Sequence, residues 1–334
     1  MATIKDVAKR AGVSTSTVSR ALSGKVPVDK ETREKVMEAV RALNYQPNIL
    51  AKGLKEGRTN TIGLIIPNIC NPVFPAVARG VEDVARENGY TVVLCNTDED
   101  MAMEINYVEK LQNRWVDGLI FATAREESEH IIKLKQQDFP VVLVARHMGQ
   151  SVDAVVVDNY KSSVEAVNYL IETGHKKICI IVGDRNLILY RERLEGYKYA
   201  LESAGLPVVS EMILDVSGRD DNGYNAVKDL LKRGVVPDAI FATSDPRAIG
   251  AIRAVKDCGL KVPDDISVVG FDDLDISSYI DPPLTTVSQP LYEMGAQAAR
   301  RLIGIINGEK NEKSKLMLMS TKLVIRKSVK DCRL

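Results

Sequence analysis

The sequence predicts an N-terminal all-α helix-turn-helix head followed by an α/β core of two doubly wound, Rossmann-like subdomains. Three observations predict it. Short helical periods separated by a glycine turn fill the first 45 residues. From Thr61 the pattern changes to β-branched apolar runs spaced by helical stretches, which build βαβ units and parallel sheets. Charge is divided in the same way. Residues 1–58 carry 12 Lys and Arg against 6 Asp and Glu, whereas the remainder carries 33 against 39. The formal net charge of zero therefore hides a basic head on an acidic body, which points to nucleic-acid contact by the head alone.

At 334 residues the chain is too long for one core and should form two or three domains. Its five cysteines (Cys70, Cys95, Cys179, Cys258 and Cys332) are odd in number and contain no C-x-x-C pair. Reduced thiols in a cytoplasmic protein are expected, with neither a disulfide frame nor a zinc site. Met1–Asp6 lacks the apolar segment of a signal peptide. No apolar run is long enough to span a membrane. His130, His147 and His175 are far apart and do not show metal-ligand spacing. Neither a phosphate loop, a nucleophile elbow nor a dinucleotide fingerprint is present, so no cofactor is expected and an enzyme is disfavoured.

In chain order, Thr3 is placed to cap a first helix, with Asp6 as the acid of a capping box. Ile4, Val7, Ala8 and Ala11 share one face of that helix. Gly12-Val13 breaks it, and Ser14 starts a second helix, Thr15–Leu22. Val18, Ala21 and Leu22 turn inward, leaving Thr15, Ser16, Ser19 and Arg20 outside. Hydroxyls suit phosphates and base edges, and the arginine fork suits guanine. Taken alone, such helix pairs also occur in proteins that do not bind DNA. Asp29 caps a third helix, whose Val36, Val40 and Leu43 close the small core.

A stretch of ten residues, Tyr45 to Leu54, follows. Pro47 pushes Gln46 out of the α region, Asn48 can cap, and Ile49–Leu54 is one and a half helical turns. So short a helix is unstable alone in water, and Gly53 weakens it by roughly another 1 kcal/mol. Residues 48–54 are expected to be helical on DNA and disordered without it.

In the core, apolar runs lie at Ile62–Ile66, Val92–Leu94, Leu119–Phe121, Val141–Val144 and Val155–Val157. Helices are expected near 74–88, 101–114 and 126–137. A second series has runs at Ile178–Val182, Ile213–Val216, Ala239–Phe241 and Ile266–Phe271, with helices near 160–173, 190–204, 221–233 and 246–258. Leu291–Ile306 (helix) and Leu323–Ile325 (strand) come last. Ligands of such sheets bind beyond the carboxyl ends of the strands. The residues found there are Asn68, Asn71 and Phe74, then Thr123 and Arg125, then Ala145-Arg146 and Asp158-Asn159. The second series contributes Arg191, Arg193, Ser244-Asp245 and Asp272-Asp273. Charges and amides beside one aromatic ring suit a small ligand rich in hydroxyls.

The motifs Ile4-Lys5-Asp6-Val7-Ala8, Ala11-Gly12-Val13-Ser14, Thr17-Val18-Ser19-Arg20, Asn44-Tyr45-Gln46-Pro47-Asn48 and Ala51-Lys52-Gly53-Leu54 are contiguous and ordered. They resemble the head and hinge of LacI/GalR-family transcription regulators, and the similarity runs through nearly the whole chain. The resemblance implies a core like the type I periplasmic binding proteins, in which the last helix and strand are a return crossing. The divisions implied are a head at 1–46, a hinge and linker at 47–60, a first subdomain of 61–158 plus about 288–316, and a second of 159–287 plus about 317–330.

It further implies a cytoplasmic homodimeric repressor of carbohydrate or related metabolism, acting on a near-palindromic operator. Thr15, Ser16, Thr17, Ser19, Arg20, Tyr45, Asn48, Ala51 and Leu54 would contact DNA, with Leu54 as a minor-groove wedge. A sugar or sugar derivative would act as effector, at a site including Asn71, Phe74, Thr123, Arg146, Arg193, Ser244 and Asp272. Phe74 is expected in the loop before the first helix of the core. A purine, or a phosphorylated protein corepressor, also fits the family. Two positions depart from its sugar-binding members: Ala145 stands where many carry Asp, and Ser244 where many carry Asn. Each change removes a group that would bond a sugar hydroxyl.

Overall fold

The computed structural model describes residues 2–23, 26–45, 58–113, 116–216, 223–309 and 315–333. Asn48, Ala51 and Leu54 lie outside the described residues, as do Trp115 and the Asp220-Asp221 pair. The chain divides into two compact units, Met1–Thr59 and Asn60–Leu334.

Local hydrogen bonds start each helix of the head. Thr3 Oγ1 accepts from the Asp6 amide at 3.4 Å while the Asp6 carboxylate accepts from the Thr3 amide at 2.8 Å, the reciprocal pair that begins α1 (Ile4–Ala11). Gly12 ends it at φ 66°, a conformation a β-carbon disfavours, and donates its amide to the Ala8 carbonyl. Ser14 Oγ accepts from the Thr17 amide at 3.1 Å at the start of α2 (Thr15–Ser23). Asp29 accepts from the Thr32 amide at 2.8 Å at the start of α3 (Lys30–Ala42). One valine from each helix, Val7, Val18 and Val36, is fully buried, with Ala8, Ala21 and Ala39 between them. Ala39 takes the inner place expected for Val40, which packs at the margin with Leu43 and Tyr45.

The second unit contains two six-stranded sheets built on one plan. The first is ordered β11-β5-β4-β3-β1-β2, from β1 (Thr61–Ile66), β2 (Thr91–Asn96), β3 (Gly118–Phe121), β4 (Val141–Val144), β5 (Ala154–Val157) and β11 (Leu316–Met319), all parallel. The second is ordered β12-β10-β9-β8-β6-β7, from β6 (Ile178–Val182), β7 (Ile213–Asp215), β8 (Ala239–Ala242), β9 (Ser267–Asp272), β10 (Thr285–Ser288) and β12 (Lys322–Val324). Only β12 runs antiparallel to its neighbour. Strands β1, β3, β4, β5, β6 and β8 are almost wholly buried, as runs covered by helices on both faces must be.

The covering helices include α4 (Val73–Glu87), α5 (Met101–Asn113), α6 (Glu129–Gln136), α7 (Asn159–Glu172), α8 (Ile188–Ser203), α9 (Tyr224–Lys232), α10 (Asp245–Asp257), α11 (Ile276–Tyr279) and α12 (Leu291–Ile306). Helix α12 leaves the second sheet and packs against α4 on the first. Glycines permit the approach: a β-carbon on Gly80 would lie 2.0 Å from the Tyr292 carbonyl oxygen, and one on Gly295 2.0 Å from that of Val77.

Strand β10 was not expected, because only Val287 of its four residues is apolar. Thr285 and Thr286 are nevertheless fully buried. The Thr286 hydroxyl donates to Asp245, and that of Thr285 accepts from the Arg326 amide at 2.9 Å, so the burial leaves no hydroxyl unmatched. Strand β11 was likewise unforeseen, and the final strand lies one residue earlier than expected.

Candidate functional site

In the head, α2 carries the groups expected to meet DNA. Thr15, Ser16 and Arg20 are exposed, and Thr17 and Ser19 are half-buried beside the inward Val18. Ser14 Oγ lies 2.7 Å from Ser16 Oγ and 2.9 Å from Thr17 Oγ1, so the hydroxyls at the start of the helix form one connected set. Tyr45 packs partly against the head core.

In the core, a cleft of about 760 Å³ opens at the carboxyl ends of both sheets. Its lining includes Asn71, Phe74, Arg146, Arg193, Ser244 and Asp272, brought together from segments up to two hundred residues apart in sequence. Phe74 belongs to the first turn of α4, not to the loop before it, because the helix already begins at Val73, after Pro72 as N-cap. Thr123 is not part of the lining. It is buried, and its carbonyl accepts from Arg146 Nη1 at 3.1 Å, so the guanidinium takes the position expected for the threonine.

The wall on the first sheet is an ion cluster. Glu99 accepts from both Arg146 Nη groups, at 3.1 Å and 2.5 Å, and from Arg125 Nη2 at 2.9 Å. Burial pushes the Glu99 carboxyl upward, but Arg146 and then Arg125 outweigh it and hold the group below its ordinary value. The wall on the second sheet differs. Arg193, 4% exposed, donates from Nε to Asn159 Oδ1 at 2.9 Å and from Nη1 to the Thr243 carbonyl at 2.6 Å. Its guanidinium lies 3.5 Å above the centre of the Phe271 ring. Asp272 accepts from Gln289 Nε2 at 2.7 Å. Burial raises its carboxyl to about 7, a rise that Arg193 opposes and the nearby Asp245 assists. Burial also lowers the affinity of Arg193 for its proton.

Backbone strain concentrates here. Asp98, Glu99, Ala145 and Asp272 line the cleft with φ of 54°, 63°, 63° and 129°, and Asp273 follows at 60°. Such conformations cost on the order of 1–3 kcal/mol each in non-glycine residues and persist where a site requires them.

Tyr190, Arg247, Gln289 and Glu99 also line the cleft and were missed from sequence. Glu99 follows β2 and Gln289 follows β10, so the strand-end rule finds both once it is applied to every strand. Tyr190 and Arg247 sit in the first turns of α8 and α10, a position that apolar runs do not mark. His175 is buried: Nδ1 lies 2.9 Å from the Leu170 carbonyl of α7, and Nε2 lies 2.8 Å from Ser267 Oγ. All five cysteines are free thiols. Among the described residues, no acidic, histidine and cysteine cluster could hold a metal, and no helix is long and apolar enough to cross a membrane.

A helical head with an exposed hydroxyl and arginine face, in one chain with a polar cleft at the ends of two parallel sheets, defines a ligand-responsive DNA-binding regulator. Residues 3–48 match the family model of bacterial regulatory proteins, lacI family, and residues 59–327 match that of periplasmic binding proteins and the sugar binding domain of the LacI family. The chain is 38% identical over 318 residues to catabolite control protein A of Priestia megaterium, covering 95% of this chain and 96% of that one. It superposes on the lac repressor dimer bound to operator and an anti-inducer with a TM-score of 0.89, at 28% identity, covering 98% of this chain and 99% of that one. A LacI family regulator from Enterococcus faecium with bound ribose aligns with a TM-score of 0.72 and 30% identity, over 81% of this chain and 99% of that one. The chain belongs to the LacI family of transcriptional regulators; it is not an enzyme.

Proposed function

We propose that this protein is a homodimeric repressor of carbohydrate or related metabolism whose operator affinity is set by a sugar or sugar derivative bound in the core cleft. One observation carries the effector half of this reading: Arg193 and Asp272, both buried, meet Asn159 and Gln289 in a strained, polar cleft. Asn71, Phe74, Arg146 and Ser244 complete the effector site, with Phe74 as the apolar face against a ring. The subdomains are 61–158 with about 288–316, and 159–287 with about 317–330. Strand β12 pairing in the second sheet supports the return of the chain there, but β11 keeps residues as far as Met319 in the first sheet, so the last boundary falls between Met319 and Lys322.

Two heads would place Thr15, Ser16, Thr17, Ser19 and Arg20 on the halves of a near-palindromic operator, where symmetry of the protein matches symmetry of the site. Edge strand β2 exposes Val93 and Leu94, and α5 exposes Met103 and Ile105, an apolar face that a second copy would cover. Residues 48–54 of two subunits would fold together in the minor groove, with Tyr45, Asn48, Ala51 and Leu54 at the DNA. The effector then acts by binding unequally to two arrangements of the core.

Footprinting of the DNA flanking the protein's own gene, with and without candidate sugars, tests the reading. Sequence-specific protection that a sugar changes is expected. No specific protection under any ligand condition would sink it. Arg20→Ala should lose operator preference by about 1–3 kcal/mol while retaining salt-dependent non-specific binding.

A further inference from the structure

The cleft holds an arginine without a counter-charge. Nη1 of Arg247 donates to the Ser244 hydroxyl at 3.0 Å and the Tyr190 hydroxyl at 3.1 Å, both neutral. Among the described residues Arg247 forms no ion pair, and its Nε is buried without a hydrogen-bond partner. Its seat is formed by the surrounding residues. The guanidinium lies 4.9 Å from the Tyr190 ring centre. Gly183, at the end of β6, leaves the space: a β-carbon there would come within 2.5 Å of the Tyr190 ring and 2.8 Å of Arg247 Nη2.

The nearest acids on this wall are engaged elsewhere: Asp245, in the first turn of α10, accepts from the Leu274 amide and the Ser277 and Thr286 hydroxyls, and Asp272 accepts from Gln289. Ser244 is the N-cap of α10, yet it makes no capping bond, and its hydroxyl accepts from Arg247 instead. Across the cleft, Glu99 is already engaged by two arginines. Asp98 accepts from Asn96 Nδ2, and Asp184 from the Asn186 amide, so neither acid is paired with Arg247. A planar guanidinium fixed on a ring and two hydroxyls, with donors to spare, is arranged to receive an oxyanion.

We propose that the effector is an anionic sugar derivative, bearing a phosphate or a carboxylate that Arg247 receives. This rests on the cleft being the effector site. Calorimetry on the full chain at fixed ionic strength tests it with glucose, glucose 6-phosphate, glucuronate, ribose, ribose 5-phosphate and inorganic phosphate. An anionic member should bind at least about ten-fold more tightly than its uncharged parent, as charge-assisted hydrogen bonds allow. Arg247→Gln should bring that ratio close to one, Arg247→Lys should retain part of it, and Arg253→Gln, an exposed arginine further along the same helix, should leave it intact. Advantage for the phosphates alone assigns a phosphoester; advantage for glucuronate alone assigns a sugar acid. A neutral parent that binds as tightly as its anions overturns the proposal. So does a ratio that survives Arg247→Gln in a protein of native circular dichroism, or no Arg247-dependent binding of any anion. If a neutral sugar binds as tightly as its anions and Arg193→Ala abolishes both, the effector cleft stands and the anion subsite falls. Binding of no probe in an Arg193-dependent way sinks both.

Discussion

On the first sheet, the cleft wall sets Glu99 between Arg125 and Arg146; on the second, Arg193 and Arg247 bond neutral acceptors and Asp272 leans on an amide. The strand plan is the same in both halves. One wall satisfies its charges internally. The other leaves them partly unmet, with a carboxyl raised to about 7 and a buried guanidinium nitrogen unbonded. A shared fold therefore does not imply a shared role. The second wall has electrostatic free energy still to gain from a group placed against it, whereas the charges of the first are already matched.

Substitutions can break or sharpen this contrast. Arg193→Ala should have the largest effect, since it leaves the Asn159 side chain and the Thr243 carbonyl buried without their charged donor, at a cost of about 1–3 kcal/mol for each. Urea unfolding of the core measures it, and a loss below that of Glu99→Gln would reverse the assignment. The pH dependence of Asp272 comes next. Its carboxyl is raised in the folded protein, so folding takes up a proton between the ordinary carboxylate range and about 7. Core stability should therefore be fullest at low pH and fall as pH rises through that window, by about 4 kcal/mol for a shift of this size. Asp272→Asn should flatten the slope; an unchanged slope in thermal melts from pH 4 to pH 7.5 would show that Asp272 does not carry it.

Gly295→Ala concerns the scaffold and not the walls. The added methyl meets the Val77 backbone, which cannot rotate away, so a cost of about 1–3 kcal/mol is expected in the core's melting. Melting at the wild-type temperature would mean the helices separate freely. Glu99→Gln should have the smallest effect, about 1 kcal/mol or less, because its side chain is 36% exposed and solvent screens the cluster. A greater loss would make the first wall as dependent on charge as the second.

Much of this was legible in the sequence for physical reasons. Runs such as Leu119–Phe121 and Val141–Val144 must be buried on both faces, and their spacing by helices leaves few topologies. Arg193 and Asp272 were visible because they follow or end such strands. Strand β10 was hidden because its interior threonines satisfy their hydroxyls with Asp245 and Arg326, so it shows no apolar period, and Gln289 was hidden with it. Thr123 was misplaced because strand-end position says nothing about which side chain lies on top, and Arg146 is the longer. Arg247 needed three dimensions: its isolation from acids depends on Gly183, Tyr190 and Ser244, residues scattered through the sequence.

The chain passes between the two sheets after β5, after β10 and between β11 and β12. Each crossing is tied to polar groups near the second wall. Asn159 accepts from Arg193, Gln289 donates to Asp272, and Thr321 Oγ1 lies 2.8 Å from Ser162 Oγ on the helix that Asn159 begins. Arg193 and Asp272 thus sit beside the backbone crossings that join the two sheets. A ligand held by Arg193 and Asp272, as proposed, would act close to the strands of backbone on which any rotation of one sheet against the other must turn.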